Sequence, residues 1–337
     1  MTLPTRQIGP FTVSAIGLGC MNICHAYGVP PSEDEAKRLL NRALDLGITF
    51  LDTAAIYGLG KSERLIAEAV MHRKSEFTLA SKCVMDSPDG KHRVLDASPA
   101  AITATLERAL QRLGTDHIDL YYLHRPDPRV AIEESVGALA KAVKAGKIGA
   151  IGLSEMSADT IRRAHAVYPI TAVQSEYSPM VRNPEVAVLD ACRDLGIGFV
   201  AFSPVARGML AGGVTDDVYE KTDIRTTMPR FLGDNLKHNL EVVARFEALA
   251  AEAGCTPAQL SLAWVLARGD DVVPIPGTRS IAHLEENVGA LSVSLNLDLI
   301  VAIEKVFDGT IRGARYSAAA QATVTTEILP GEELAAA

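Results

Sequence analysis

Short apolar segments alternate with amphipathic helical segments about eight times along this chain. Strict alternation of this kind predicts a parallel sheet whose strands are joined by right-handed helical crossovers. Eight such units favour an α/β fold of the closed (β/α)8 type, a TIM barrel, over an open doubly wound sheet. The strands are predicted at residues 15–20, 48–52, 77–83, 117–124, 147–154, 170–177, 197–204 and 271–277.

The domain organisation follows from the same pattern. No linker-like stretch interrupts the 337 residues, so we expect a single domain over residues 1–337. Residues 1–14 are expected to form a β-hairpin that closes the barrel floor, and extra helices are predicted at 235–254 and 297–309. Residues 313–337 form a C-terminal tail rich in Ala, Gly and Thr, and we do not impose regular structure on all of it.

Charge and composition exclude several classes of function. A net charge of −8 without a Lys/Arg block argues against a nucleic-acid surface. The N-terminus lacks a signal-peptide pattern and no apolar run is long enough to span a bilayer, so we expect a cytoplasmic protein without a membrane partner. The five cysteines are expected to be reduced thiols. Cys20, Cys24 and His25 lack a second ligand pair at zinc-like spacing, so no metal is expected.

Two nucleotide-binding motifs are also disfavoured. Gly60-Lys61-Ser62 is how a phosphate-binding P-loop ends, but the glycine that a P-loop needs five positions before Gly60 is Ala55 here. No G-x-G-x-x-G opens a helix, so a Rossmann cofactor site is unsupported.

Polar residues at the ends of three neighbouring strands are candidate catalytic residues. Asp52 ends the second strand, Lys82 lies near the end of the third and His124 ends the fourth, while Tyr57 follows Asp52 by five residues. Each of them alone has an ordinary explanation: a turn former, a solvated lysine or a histidine bonded to a backbone carbonyl. In a barrel, however, all strands deliver their ends to one rim, where chemistry gathers.

This set of side chains suits proton donation to a carbonyl group. A tyrosine with a pKa of about 10 is a poor acid at neutral pH, and a nearby ammonium such as Lys82 is expected to lower that pKa. Asp52 would keep Lys82 charged and fixed, and His124 would orient a carbonyl oxygen beside Tyr57. With no metal or nucleophile in the set, the electron pair would come as a hydride from a nicotinamide.

The sequence resembles the aldo-keto reductase superfamily over nearly its whole length. The resemblance rests on motifs in a shared order: LDTAAIYG, ASKC, LHRPD, GLS, QSEYSP, FSPVARGML and IPGTRSIAHLEEN. The LHRPD and EYSP motifs are similar to those of pyridoxal reductases and potassium-channel β subunits. The resemblance implies a catalytic tetrad of Asp52, Tyr57, Lys82 and His124, and NADPH bound in an extended form across the barrel top.

The same resemblance implies which positions bind NADPH. Ser154 and Gln174 would hold the nicotinamide carboxamide, Phe202 would stack on the ring, and Arg279 would pair with the adenosine 2′-phosphate. Each has an alternative as a helix cap, a core residue or a solvated charge. The full set of implied cofactor residues is Ser154, Gln174, Phe202, Ser203, Val205, Arg207, Gly208, Gly277, Thr278, Arg279, Glu286 and Asn287.

One residue departs from the family pattern. Many relatives have Asn after the serine of the fifth strand, where this chain has Glu155. We expect an ionised Glu155 near the carboxamide to accept a hydrogen bond but not to donate one. The histidine of the tetrad is present, whereas members that reduce C=C bonds replace it with glutamate.

The substrate is expected to be a small carbonyl compound: an aldehyde, a ketone, a quinone, or a sugar or terpenoid carbonyl. Arg125 would pair an anionic group of the substrate or, equally, tie down Asp127. The basic loop LGDNLK after Phe231 is expected to close over the cofactor. Candidate pocket residues are Met21, His25, Tyr27, Ile56, Arg125, Met156, Arg230 and Phe231.

The sequence therefore favours NADP-dependent reduction of an aldehyde or ketone to an alcohol, with Tyr57 as general acid. The alternative is an NADPH-binding regulatory subunit with vestigial turnover. A P-loop or sugar-phosphate barrel enzyme is disfavoured by Ala55 and by the lack of a Gly-rich phosphate loop after the seventh strand. The oligomeric state is not determined by the sequence.

Overall fold

A computed structural model of the chain describes residues 2–89 and 92–335. Its strands, in chain order, are β1 (Thr5–Ile8), β2 (Phe11–Ser14), β3 (Leu18–Gly19), β4 (Phe50–Asp52), β5 (Thr78–Cys83), β6 (Met85–Asp86), β7 (Val94–Leu95), β8 (Ile118–Leu123), β9 (Ile148–Ser154), β10 (Ile170–Glu176), β11 (Gly198–Phe202) and β12 (Val272–Pro274). Its helices are α1 (Glu33–Asp45), α2 (Lys61–Val70), α3 (Pro99–Leu113), α4 (Ile132–Lys144), α5 (Ala158–Val167), α6 (Val188–Leu195), α7 (Gly233–Glu252), α8 (Pro257–Leu266), α9 (Ile281–Gly289), α10 (Leu297–Phe307) and α11 (Ala318–Gln321).

Eight parallel strands form one sheet in the order β3, β4, β5, β8, β9, β10, β11, β12, with the helices packed outside. The sheet closes on itself at a seam, where Gly17 N–H donates to Pro274 O at 2.9 Å and Gly19 pairs with Gly277. A side chain at Gly19 would lie 2.8 Å from Ile275 O, so this close approach requires glycine. The prediction of a (β/α)8 barrel is confirmed.

The strands at the seam are shorter than expected. β3 covers two residues instead of the predicted 15–20, and β12 ends at Pro274 instead of at residue 277. Pro274 and Pro276 accept hydrogen bonds from Gly17 and Gly19 but have no N–H to return, so the ladder between the two strands is incomplete.

The N-terminal hairpin closes the barrel floor, as predicted. β1 pairs antiparallel with β2, and Ile8 and Val13 are fully buried against the inner layer of the barrel, which includes Phe50, Leu120 and Val200. The capping signals also hold. Ser32 and Glu35 form a capping box at α1, and Ser98 caps α3.

Two segments differ from expectation. The sequence LGDNLK is not a loop. Leu232 is the N-cap of α7, and the other five residues form the start of this helix. In the described part of the tail, Arg315 and Tyr316 are buried and α11 follows them, so the tail packs on the barrel rim. No helix within residues 2–89 and 92–335 combines the length and apolar character that a bilayer crossing requires.

Candidate active site

A cavity of about 830 Å³ opens at the carboxyl ends of the barrel strands. Residues at the ends of β4, β9 and β11 line it, namely Asp52, Ser154 and Phe202, together with His124 just after β8. Loops after the strands and part of the C-terminal tail complete the wall. The cavity lies within the size range of small-molecule and cofactor sites.

A buried ion pair lies beneath this cavity. The Lys82 ammonium donates to Asp52 Oδ1 and, at 2.8 Å, to the backbone oxygen of Thr53. Gln174 Nε2 donates to the other carboxylate oxygen of Asp52 at 2.8 Å. Lys82 and Asp52 are 0 % and 2 % exposed, so both charges depend on one another and on these hydrogen bonds.

Tyr57 and His124 lie above the ion pair. The Tyr57 hydroxyl is 3.5 Å from Lys82 Nζ, and the rings of Tyr57 and His124 meet edge to face with centroids 5.8 Å apart. The turn that carries Tyr57 is closed by a hydrogen bond from its N–H to Ala54 O and is followed by Gly58 in a left-handed conformation. The structure therefore brings together all four residues that the sequence singled out.

Burial dominates the ionisation of these groups. It raises the pKa of Tyr57, and Lys82 opposes the rise without overcoming it. The expected net lowering of the Tyr57 pKa is thus wrong for this structure, although Lys82 acts in the expected direction. Burial and the charges of Arg125 and Lys82 hold the pKa of His124 well below its usual range.

The pKa values of both members of the ion pair are raised. Burial acts to lower the pKa of Lys82, but Asp52 and the hydrogen bonds raise it above its ordinary value. Burial also raises the pKa of Asp52, against the effects of Lys82 and Gln174. Near neutral pH the site therefore holds a protonated phenol, a neutral imidazole and an ammonium beside one opening.

The predicted nicotinamide-end residues share the cavity wall. Ser154, Gln174 and Phe202 all line it, and Phe202 is partly exposed there. Ser203, Ala206 and Arg207 have positive φ angles of 49°, 48° and 57°. Such strain in non-glycine residues is concentrated at ligand-binding loops in proteins. The loop also places Ser203, Val205, Arg207 and Gly208 on the cavity.

Arg207 differs from expectation in having a protein partner. Its guanidinium forms a two-pronged pair with Glu176 at 2.9 and 2.8 Å, and both side chains are buried. Arg207 therefore lines the cavity with its charge already balanced.

The predicted adenosine-end residues lie on the segment between β12 and α9. Arg279 is hydrogen-bonded at 2.5 Å to the backbone oxygen of Val29, and no carboxylate in the described chain pairs with it. The Thr278 hydroxyl donates a hydrogen bond to Ser280 O at 3.2 Å, which fixes this turn. The cavity-lining residues of this segment include Gly277, Thr278, Arg279, Glu286 and Asn287.

Most of the predicted substrate residues line the cavity, but three do not. Met21, His25, Tyr27, Ile56 and Arg125 are all part of its wall.

The prediction that Phe231 lines the substrate pocket is wrong. Phe231 is 4 % exposed and packs in the outer hydrophobic core instead of facing the cavity. Met156 is likewise a core residue, and Arg230 turns towards the tail, where it donates to Gly313 O and pairs with Glu332 at 3.5 Å.

Glu155 does not approach the cofactor region. It is fully buried, pairs with Arg315 at 3.0 Å and accepts a hydrogen bond from the backbone N–H of Glu176. Its φ of 54° is left-handed, a conformation that Asn adopts more readily than Glu. The expectation that Glu155 affects the carboxamide site is wrong, because the side chain points to the tail.

Of the two alternatives for Arg125, the structural one is wrong. Asp127 is held by Arg129 at 2.8 Å, and this arginine holds the pKa of Asp127 at about 2. Arg125 instead donates to His124 O at 2.7 Å and to Ser154 Oγ at 3.2 Å.

Sequence reasoning missed several cavity residues. Tyr316 comes from the tail and Arg93 from the β6–β7 hairpin, and neither segment has a periodic pattern that would have signalled it. Asp223 and Arg225 form a bidentate pair in the loop before α7. A Tyr or Arg in an aperiodic segment gives no sequence signal until the fold brings it to the rim. No cluster of metal-ligating side chains occurs in the part of the chain that the structure describes.

Comparison with known proteins identifies the family. The aldo/keto reductase family model matches residues 15–308. The chain belongs to the aldo/keto reductase family. The resemblance drawn from the sequence motifs is therefore confirmed.

Two relatives match over most of both chains. The chain is 44 % identical over 338 residues to aldo-keto reductase yakc of Schizosaccharomyces pombe, whose name specifies NADP(+), and the match covers 98 % of this chain and 99 % of the relative. It is 44 % identical to probable aldo-keto reductase 1 of Glycine max, over 91 % of this chain and 89 % of the relative.

Solved structures support the same fold. The glycerol dehydrogenase AKR11B4 from Gluconobacter oxydans matches with a TM-score of 0.82 and 27 % identity, over 91 % of this chain and 96 % of that one. The aldo-keto reductase AKR11C1 from Bacillus halodurans matches with a TM-score of 0.74 and 26 % identity, over 92 % and 98 %.

Proposed function

We propose that this family member catalyses the reversible NADPH-dependent reduction of an aldehyde or ketone to an alcohol. One observation carries the proposal: the Tyr57 hydroxyl lies 3.5 Å from Lys82 Nζ, above a buried ion pair and facing a cavity that His124 also lines. Proton donation is the chemistry that these groups fit best.

Three features of the cavity fit a dinucleotide. Its volume of about 830 Å³ suits a cofactor together with a small substrate. Phe202 presents a partly exposed aromatic face, and Arg279 provides a cation without a carboxylate partner in the described chain. The name of the Schizosaccharomyces pombe relative, which specifies NADP(+), adds to this.

Particular residues would hold the cofactor. Ser154, Gln174 and Phe202 would bind and orient the nicotinamide end, and the Ser203–Gly208 loop would hold the pyrophosphate. Arg279, with Glu286 and Asn287, would hold the adenosine end. When bound, NADPH supplies a hydride to the carbonyl carbon of the substrate.

The side chains of the rim would complete the reaction. Tyr57 donates its proton to the carbonyl oxygen, which becomes the alcohol hydroxyl. The resulting phenolate lies beside the Lys82 ammonium, and the attraction between the two charges stabilises it. Asp52 holds Lys82 in place, and His124, neutral because of its lowered pKa, donates a hydrogen bond that orients the carbonyl oxygen.

Isotope transfer tests this function. Purified protein is mixed with NADPH carrying deuterium at C4 and with panels of aldehydes and ketones, and the alcohol products are analysed by mass spectrometry. We expect deuterium on the former carbonyl carbon for one hydride face of the cofactor. Tight NADPH binding without transfer to any panel member would contradict the proposal and favour a regulatory subunit.

A further inference from the structure

The charges that line the cavity are unevenly compensated. Two of its arginines are neutralised by carboxylates: Arg207 by Glu176 and Arg225 by Asp223. Of the other cavity carboxylates, Asp52 is neutralised by Lys82, and Glu286 lies on α9, next to the segment that carries Arg279. After these pairs are removed, the cavity-lining arginines without a carboxylate in the described chain are Arg93, Arg125 and Arg279.

Arg279 belongs to the adenosine end, whereas Arg93 and Arg125 lie at the end that contains Tyr57. The His25 ring lies 5.8 Å from the ring of Tyr57 at this end. Burial and the charge of Arg93 lower the pKa of His25 to about 4. His25 is therefore neutral at pH 7 and adds no charge. The two arginines leave this end of the cavity positively charged.

Arg125 is held in position but is not saturated. One of its terminal nitrogens, Nη1, donates to His124 O and to Ser154 Oγ. Within the described residues, Nε and Nη2 make no hydrogen bond to a protein acceptor. A guanidinium has five N–H donors in a planar fork that matches carboxylate and phosphate groups.

Tyr316 provides an independent observation on the same wall. It is 4 % exposed and lines the cavity, and its hydroxyl has no hydrogen-bond partner among the described residues. A buried hydroxyl without a partner is destabilising, and an acceptor supplied by a ligand would remove that cost. The guanidinium groups of Arg207 and Arg315 lie 5.3 and 4.7 Å from its ring and fix the ring in place.

The two donors lie within electrostatic reach of each other. Burial raises the pKa of Tyr316, and Arg315 and Arg125 oppose this rise. Arg125 acts in the same direction on the pKa of Tyr57, which burial raises. The charge of Arg125 thus acts on both hydroxyls, and all three residues line the cavity.

We propose that the substrate carries an oxyanion, a carboxylate or a phosphate, in addition to its carbonyl group, and that Arg125 and Tyr316 bind this anion. The inference rests on the proposed carbonyl reduction. The Arg125 fork supplies a charge-assisted contact, Tyr316 supplies a neutral hydrogen bond, and Arg93 on the β6–β7 hairpin attracts the anion at the opening.

Matched pairs of substrates test this inference. The first pair is 4-oxobutanoate and its methyl ester, and the second is 4-oxobutyl phosphate and its dimethyl ester. The carbonyl groups are equally remote from the variable end within each pair, so the ratio of kcat/KM reports recognition of the anion. We expect the anion to be preferred at least about tenfold in one of the two pairs, and the preferred pair identifies the oxyanion.

Variants assign the preference to residues. Arg125→Met should bring the ratio close to one, mainly through KM, and Arg125→Lys should restore part of it. Tyr316→Phe should lower the ratio about three- to tenfold, because it removes one neutral hydrogen bond. Arg38→Met, an exposed arginine on α1, and Tyr168→Phe, which lies outside the cavity, are controls that should keep the wild-type ratio.

Failure of the inference can be distinguished from failure of the proposed function. Wild-type protein that reduces both members of each pair equally well would overturn the anion site and leave the reductase intact. An Arg125→Met variant that loses NADPH affinity and keeps the anion preference would assign Arg125 to the cofactor instead and also overturn the site. No reduction of any of the four compounds, nor of the aldehyde panel, would overturn the proposed function itself.

Discussion

Two buried groups of charges lie at the same barrel rim, and they differ in what adjoins them. The rim pair, Asp52 and Lys82, faces the cavity and has Tyr57 at 3.5 Å from its ammonium. The tail cluster consists of Glu155, Glu176, Arg207 and Arg315. In the tail cluster each charge meets an opposite charge within 4 Å, and Glu155 and Glu176 lie outside the cavity wall.

The difference between the two groups separates chemistry from architecture. Beside the rim pair, the His124 Nδ1 atom is buried without a partner in the described chain, and the Tyr57 hydroxyl has only a long contact. His124 and Tyr57 both line the cavity, so both border the space that a substrate would occupy. The tail cluster instead fixes the chain segment that follows it, since Thr325 N–H bonds to Glu155 O at 2.9 Å.

Breaking the rim pair should have the largest effect. Lys82→Met removes the cation that stabilises the Tyr57 phenolate, so we expect kcat to fall about 10³-fold, within the usual range for acid–base catalysis. Steady-state kinetics with the best aldehyde measures this. Lys74→Met, which breaks the ion pair with Asp119 at 2.7 Å below β5, should leave kcat near the wild-type value. Equal losses in both variants would contradict the distinction.

Breaking the tail cluster should primarily affect stability. Arg315→Met leaves the buried carboxylate of Glu155 without its ion pair, and we expect the free energy of unfolding to fall by about 3 kcal/mol. Urea denaturation measures the change. Arg268→Met breaks a partly exposed pair with Glu304 away from the cavity. It should lower stability without raising the substrate KM, whereas Arg315→Met should raise KM because Tyr316 adjoins it.

A substitution at the proposed adenosine end of the cavity should have a smaller effect, on NADPH affinity. Arg279→Gln removes a cation that no carboxylate in the described chain neutralises, so the Kd of NADPH should rise about tenfold, or about 1.4 kcal/mol. The Kd of NADH should stay nearly constant, because NADH lacks the 2′-phosphate. Fluorescence titration measures both constants, and an equal rise in both would remove this role from Arg279.

The smallest expected effect is an absence of pH dependence. The raised pKa of Tyr57 keeps its proton in place below about pH 10, and the lowered pKa of His124 keeps it neutral above about pH 6. The kcat/KM for reduction should therefore be nearly constant from about pH 6 to pH 9 and should fall only at higher pH. A rate that changes with a midpoint near 6.5 would show that His124 titrates in the free enzyme.

The sequence correctly predicts the site residues whose position follows from the order of the strands. It fails for residues whose role depends on the direction of the side chain. Asp52, Lys82 and His124 are at or next to strand ends, and a barrel delivers such ends to one rim. Phe231 lies in a short 3₁₀ turn, where no periodicity indicates which way a ring points, and it packs into the core.

Long-range contacts account for the other errors. The position of Glu155 next to Ser154 predicts that it lies near the carboxamide, but its partner Arg315 lies 160 residues further along the chain. Tyr316 was missed for the same reason, because the tail has no pattern that reveals where it packs. The net rise in the Tyr57 pKa was missed because the degree of burial is a property of the assembled fold.

The central claim is that Tyr57 donates the proton beside Lys82. Single-turnover oxidation of bound NADPH by a neutral aldehyde, measured for wild-type protein and for Tyr57→Phe, tests this claim most directly. We expect the rate to fall at least about 10³-fold in Tyr57→Phe while the NADPH Kd stays within about twofold. Wild-type rates in Tyr57→Phe, with NADPH bound normally, would contradict the account.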